Sequence, residues 1–216
     1  KLVLVSRTPL PPRTRWARWL NAHGGEDRID RRIRAIRSLE EAGAEVLAAA
    51  ADVANVEEMR EVVAAARARF GPVHGLVHAA GVLEDAPLAL STEADLQAVL
   101  APKVQGARVL AELFAEASLD FFVLCSSTST ATAPPGQVAY VAANAFLDAF
   151  AESRAHRPER CVALAWGIWR EVGMAAAALG RADAAAEPLP EALAHPLFDA
   201  RARDAAGQPV LRGTLR

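Results

Sequence analysis

Four side chains in the middle of this sequence are of the kinds that could reduce a carbonyl: Lys103, Ser127, Tyr140 and Asn144. Tyr140 is the only tyrosine of the chain. It opens a helical stretch, Tyr140-Val141-Ala142-Ala143-Asn144, and the four-residue step sets Asn144 one turn along the same face. A carbonyl that takes hydride from a nicotinamide needs a proton donor at its oxygen. A phenol, with an ordinary pKa of about 10, is a slow partner unless a nearby ammonium favours the phenolate. Lys103 is the candidate ammonium. Ser127, at the end of Cys125-Ser126-Ser127, can hold and polarise the oxygen. Each residue also has a plainer reading. Ser127 could cap the next helix, Lys103 could be a solvated charge, Asn144 an interfacial polar group and Tyr140 a half-buried phenol.

Such residues need a scaffold, and the apolar pattern supplies one. At 216 residues and 52% hydrophobic, the chain can bury one α/β domain with appendages. Short apolar runs read as strands at Leu2–Val5, Val46–Ala50, Gly75–Ala79, Phe121–Cys125 and Cys161–Ala165. None alternates with period two, as expected of strands covered on both faces. Between them, Val56, Met59, Val62, Val63, Ala66 and Phe70 share one helical face. That helix starts at Asn55, with Glu58 three residues on, and stops at Gly71-Pro72. Val104, Ala107, Leu110, Leu113, Phe114 and Ala117 repeat the spacing. Two further helices are expected at Arg15–Ala22 and Arg28–Ala42. Strand and helix in alternation predict a doubly wound parallel sheet of Rossmann type.

In such a sheet ligands bind where the strands end. Ser6-Arg7 follows the first strand. If this strand meets an adenosine ribose, Arg7 suits a 2′-phosphate and hence NADPH. A solvated surface arginine fits Arg7 equally well. Asp52-Val53 follows the second strand and could touch an adenine edge or begin a helix. Ala79-Ala80-Gly81 follows His78, small residues that let backbone approach a cofactor or simply make a tight turn.

The net charge of −2 gives no reason to expect nucleic acid. No apolar run is long enough to span a bilayer, and no signal peptide is visible. Cys125 and Cys161 read as buried free thiols of a reducing compartment, with cytoplasm the expected location and no metal site.

Tyrosine with asparagine four residues on and lysine well upstream resembles the ketoreductase domains of modular polyketide and fatty-acid synthases. These are short-chain dehydrogenase relatives in which lysine and asparagine have exchanged places. The family's spacing is met, with 140 − 127 = 13 and 140 − 103 = 37. The segments Leu4-Val5-Ser6-Arg7, His78-Ala79-Ala80-Gly81-Val82, Phe122–Ser127, Gly136–Tyr140, Ala143–Asp148 and Trp166-Gly167-Ile168-Trp169 are similar to the family's pattern, over roughly Lys1 to Gly180. For the four residues together, the plain readings give way. The resemblance implies that Tyr140 protonates the ketone, Ser127 orients it, Lys103 lowers the phenol's pKa and touches the nicotinamide ribose, and Asn144 holds a relay water. It also implies Gly167 and Ile168 at the cofactor. The substrate would be a β-ketoacyl chain on the phosphopantetheine of an acyl carrier protein.

Leu83-Glu84-Asp85 resembles the loop of domains that give the D-hydroxyl, with Glu84 a departure, and Thr132 stands where L-type domains often carry tryptophan. Family members have a Gly-rich turn after their first strand that cradles the pyrophosphate. The resemblance makes the strand at Leu2 the second one, so the expected sheet lacks the first strand and that turn. A piece so cut should bind NADPH poorly and leave part of the sheet unpaired. Residues 181–194 read as a linker. His195-Pro196-Leu197-Phe198, with a second strand ending at Leu215, resembles the opening of a dehydratase domain or an ordinary terminal hairpin; neighbouring synthase domains would then be partners. A catalytically silent scaffold portion is the alternative function, and a free-standing dehydrogenase is disfavoured by the lysine–asparagine exchange.

Overall fold

The computed structural model describes residues 1–23, 27–168, 191–192, 200–203 and 209–212. Two compact units divide the chain, Lys1–Gly167 and Ile168–Arg216.

In the first unit, helices separate parallel strands in the order β1 (Leu2–Ser6), α1 (Trp16–His23), α2 (Arg28–Glu41), β2 (Val46–Ala50), α3 (Val56–Phe70), β3 (Gly75–His78), α4 (Glu93–Leu113), β4 (Phe121–Ser127), α5 (Ser129–Thr132), α6 (Val138–Ser153) and β5 (Arg160–Trp166). The α/β class with parallel strands is as expected. The strands do not form one continuous ladder. β1 pairs with β2, and β3, β4 and β5 form a separate sheet in that order. One edge each of β1, β2, β3 and β5 therefore has no strand partner among the described residues, and Val77, near the end of β3, is 64% exposed.

Local signals explain the boundaries. Asn55 Oδ1 accepts from the Glu57 and Glu58 N–H groups and caps α3. Glu58 reaches back to the Asn55 side chain at 2.8 Å and to the Asp52 N–H at 2.7 Å. Gly71 ends the helix at φ +84°, a conformation that suits glycine. α4 begins earlier than its apolar spacing suggests, because Thr92 and Asp95 form a capping box. It runs through the buried Pro102 and stops at Leu113, leaving Ala117 outside the helix. Packing of this long helix outweighs the missing proline N–H.

One core joins Met59, Val62 and Val63 of α3 and Ala107, Val109 and Leu110 of α4 to Phe122 and Leu124 of β4 and Leu147 of α6. Val3 of β1 and Ala49 of β2 pack on the same core, so α3 and α4 bridge the two sheets. A second cluster, Trp16, Leu20, Ile33, Ile36 and Val46, fixes α1 and α2 to β2. Gly75 lets the Phe121 ring lie across β3: a Cβ there would lie 2.2 Å from the ring tip, which would have to turn aside. Cys125 and Cys161 are free as expected, although half-buried, because the neighbouring β4 and β5 pair them with Leu164 and Phe122 and not with each other.

The described part of the second unit is an antiparallel set, β6 (Glu191–Ala192), β7 (Ala200–Arg203) and β8 (Pro209–Arg212). Of the expected linker 181–194, Glu191 and Ala192 form β6; its other residues, the His195–Phe198 motif, Trp169 and Leu215 lie outside the described residues. No helix among the described residues is long and apolar enough to cross a membrane.

Candidate active site

Parallel strands bring their carboxyl ends to one edge, and most of the candidate residues stand there. Ser6 ends β1 and Arg7 follows it. Asp52 and Val53 follow β2, Ala79 to Gly81 follow β3, Ser127 closes β4 and Gly167 follows β5. Ile168 opens the second unit. The two sheets meet α4 at Gly106, where a Cβ would lie 2.8 Å from Val53 Cγ1 and 3.0 Å from His78 Cε1.

Three residues along α4 from that crossing, Lys103 turns inward and is 3% exposed. A solvated charge is therefore excluded. Its Nζ donates to the Cys125 carbonyl at 2.7 Å and lies 5.9 Å from the centre of the Tyr140 ring. Burial pushes the ammonium's pKa down to about 8, against the opposing pull of Cys125 and Asp148. At pH 7 roughly nine in ten of these side chains are still protonated.

Tyr140 sits in the first turn of α6, half-buried. Gly136, at φ +80°, makes the turn that leads into the helix. One turn further, Asn144 is fully buried and donates Nδ2 to the Tyr140 carbonyl at 2.8 Å. Its Oδ1 is buried with no hydrogen-bond partner among the described residues. Such an acceptor calls for a donor, a water included. Ser127 Oγ accepts from the Ser129 N–H at 3.1 Å, so the serine does cap the following turn. That contact uses an oxygen lone pair and leaves the hydroxyl hydrogen to donate elsewhere. No hydrogen bond joins Ser127 to Tyr140 among the described residues.

The acidic loop is tied to the same turn. Gln137 Nε2 donates to Asp85 Oδ2 at 2.9 Å, and the Ala86 N–H donates to the Gly136 carbonyl at 3.0 Å. Beneath the loop, Ala86, Leu96, Val99, Val138 and Ala139 line a cavity of about 240 Å³ that Glu84 also borders. Leu83 is half-buried, and Glu84 and Asp85 are exposed.

At the other end of the edge, Arg7 is exposed, and no ion pair engages it among the described residues. The Ser6 hydroxyl and the Arg32 guanidinium both donate to the Thr8 carbonyl, at 3.2 and 2.8 Å, and brace the turn that carries Arg7. Asp52 Oδ1 accepts from the Ala54 N–H at 2.9 Å and forms a turn ahead of α3; the helix cap expected of it falls instead to Asn55. Chemically, an exposed guanidinium suits a phosphate, and a buried ammonium beside a phenol suits a reacting carbonyl. Among the described strand–helix connections, none carries a run of glycines for the pyrophosphate. No group of acids, histidines and cysteines that could hold a metal occurs among the described residues.

Sequence reasoning missed Gln137, Arg32 and the Cys125 carbonyl. Gln137 could have been suspected from its place three residues before Tyr140. The other two depend on partners 24 and 22 residues away and leave no local signal.

Residues 1–171 match the KR domain family. The 6-methylsalicylic acid synthase of Aspergillus terreus is 44% identical over 178 residues, which are 82% of this chain and 10% of that protein. The ketoreductase PlmKR1, from the first module of phoslactomycin biosynthesis in Streptomyces sp. HK803, superposes with a TM-score of 0.62 at 37% identity, covering 80% of this chain and 36% of that one. A structure of an A1-type ketoreductase gives 0.63 at 38% identity, over 80% of this chain and 33% of that one. The chain spans about a tenth of the length of the curated relatives it matches.

Proposed function

This chain belongs to the KR family, the ketoreductase domains of polyketide synthases within the short-chain dehydrogenase superfamily, and from that premise we propose that it reduces a β-ketoacyl thioester on an acyl carrier protein with NADPH. The observation that carries the reading is the buried Lys103 ammonium held 5.9 Å from the Tyr140 ring at the ends of the parallel strands.

In this reading Tyr140 gives its proton to the ketone oxygen. Lys103, locked to the Cys125 carbonyl, stabilises the negative charge left on the phenol oxygen; low polarity around it makes that attraction stronger than in water. Ser127 donates its hydroxyl hydrogen to the same ketone oxygen and orients it. The unpartnered Asn144 Oδ1 holds a water through which the phenol regains its proton. NADPH, when bound, supplies the hydride. Arg7, braced by Ser6 and Arg32, would hold its 2′-phosphate; Asp52 and Val53 would lie by its adenine, and Ala79, Ala80, Gly81 and Gly167 would lie along the rest.

The likeness of the Leu83-Glu84-Asp85 loop to that of D-type domains supports a D-hydroxyl product, and the Asp85–Gln137 contact ties that loop to the turn before Tyr140. Incubation of the full-length polypeptide with NADPH and a β-ketoacyl thioester, followed by chiral separation, tests both parts. The expected result is NADPH consumption with the D-alcohol in excess. An L-alcohol would overturn the stereochemical reading alone, and no reduction would overturn the whole.

The open edges of β1 and β3, with no glycine run among the strand–helix connections, favour a second reading for this stretch taken by itself: a silent scaffold that binds no dinucleotide. NADPH fluorescence titration of the 216-residue chain and of a longer polypeptide separates the two.

A further inference from the structure

His78 is the last residue of β3 and is 2% exposed. Its Nε2 lies 3.4 Å from the Lys103 carbonyl, and the ring also approaches the carbonyl of Pro102. Contact is this close because position 106 is glycine: a Cβ there would lie 3.0 Å from His78 Cε1 and 3.3 Å from Nε2. A buried imidazole is costly to charge, and the Lys103 ammonium adds repulsion, so the pKa falls to about 4 and the ring is neutral at working pH. A neutral imidazole has one N–H. With the Lys103 carbonyl 3.4 Å from Nε2, the tautomer that carries its proton there is the one that can donate across this contact.

This contact falls where α4 most needs support. Pro102 has no N–H to give the preceding turn, so the helix is one hydrogen bond short just before the residue that faces Tyr140. The Lys103 side chain is pinned at its tip by the Cys125 carbonyl of β4, and its backbone is approached by His78 of β3. Two neighbouring strands thus grip one residue of α4 at both ends.

We propose that His78 is a positioning residue for the reduction, donating Nε2–H to the Lys103 carbonyl so that the ammonium is held at a set distance from Tyr140. The inference rests on the reading that Lys103 and Tyr140 serve the chemistry. A displacement of about 1 Å at a reacting group can cost on the order of 100-fold in rate.

His78→Leu and His78→Gln in the full-length polypeptide, with Tyr140→Phe beside them, form the test. Leucine keeps the volume and removes the donor; glutamine restores an N–H at similar reach. The expected result is a kcat for His78→Leu reduced about 10- to 100-fold with an NADPH KM near wild type, and substantial recovery in His78→Gln. A purely structural histidine would give the leucine variant normal turnover, which would overturn the proposal, as would a glutamine variant no better than leucine. Should the variants fail to fold, nitrogen chemical shifts of the wild-type imidazole decide: a proton on Nε2 supports the proposal and one on Nδ1 overturns it. If Tyr140→Phe keeps full activity, the underlying reading fails instead.

Discussion

Two regions at the carboxyl ends of the strands are built on opposite principles. Around α4 the polar groups are buried: His78, Lys103 and Asn144 are 2%, 3% and 0% exposed, and each meets a backbone carbonyl. At the end of β1 the charge is on the outside, and Arg7 stands in solvent with only its turn braced. A proton transfer gains from groups fixed in advance in a dry site, where no solvent has to reorganise. Recognition of a phosphate needs a guanidinium that stays hydrated until the ligand arrives. Substitutions at the buried end should therefore change rate and stability together, and those at the open end should change selectivity with little cost to the fold.

The sharpest way to break this contrast is Tyr140→Phe. Turnover should fall by about 10²- to 10⁴-fold, the usual contribution of a positioned acid, while NADPH affinity measured by fluorescence changes little. A turnover near wild type would remove the phenol from the mechanism and the contrast with it.

Lys103→Met probes the cost of the buried charge. The folded-state pKa of about 8 lies below the ordinary lysine value, so the unfolded chain binds the proton more tightly. Below about pH 8 the wild type bears this penalty in full, and it is relieved as pH rises from about 8 to 10.5. Chemical denaturation across that window should show the wild type gaining on the order of 3 kcal/mol relative to the methionine variant. Parallel curves would mean that the ammonium is not desolvated.

Arg7→Glu tests the open end. The NADPH-over-NADH preference in kcat/KM should drop about tenfold or more, with no change in Tm beyond a degree or two, since an exposed unpaired charge is worth little to the fold. An unaltered preference would take Arg7 out of the cofactor site.

Smallest is Asn55→Ala, which removes the α3 cap at the open side without touching either end. A loss of about 1 kcal/mol in unfolding free energy with unchanged kcat is expected. A fall in kcat would show that the two regions are coupled through α3.

Most of the scaffold was legible because its signals are local. The five apolar runs became the five parallel strands, and Asn55 and Gly71 bound α3 through caps that involve only their neighbours. The start of α4 was missed because its apolar face reads clearly only from Val104 onward, while the box that begins it starts at Thr92, well before. The family, too, was legible, since spaced residue types carry it and need no coordinates. The split of the strands into two sheets could be anticipated only from the resemblance, because no property of Leu2–Ser6 or Gly75–His78 says which edge goes unpaired.

By itself, then, the order of residues determined the α/β class, the family and the set of side chains at the strand ends: periodicity, caps and spacing act over a few residues along the chain. Only the tertiary structure decided that Lys103 is buried, that the Cys125 carbonyl anchors it, that Asp85 is lashed to Gln137 and that His78 lies against α4. Those contacts join segments 22 to 52 residues apart. Burial and hydrogen bonding across such distances depend on which elements pack together, and that is a property of the whole fold.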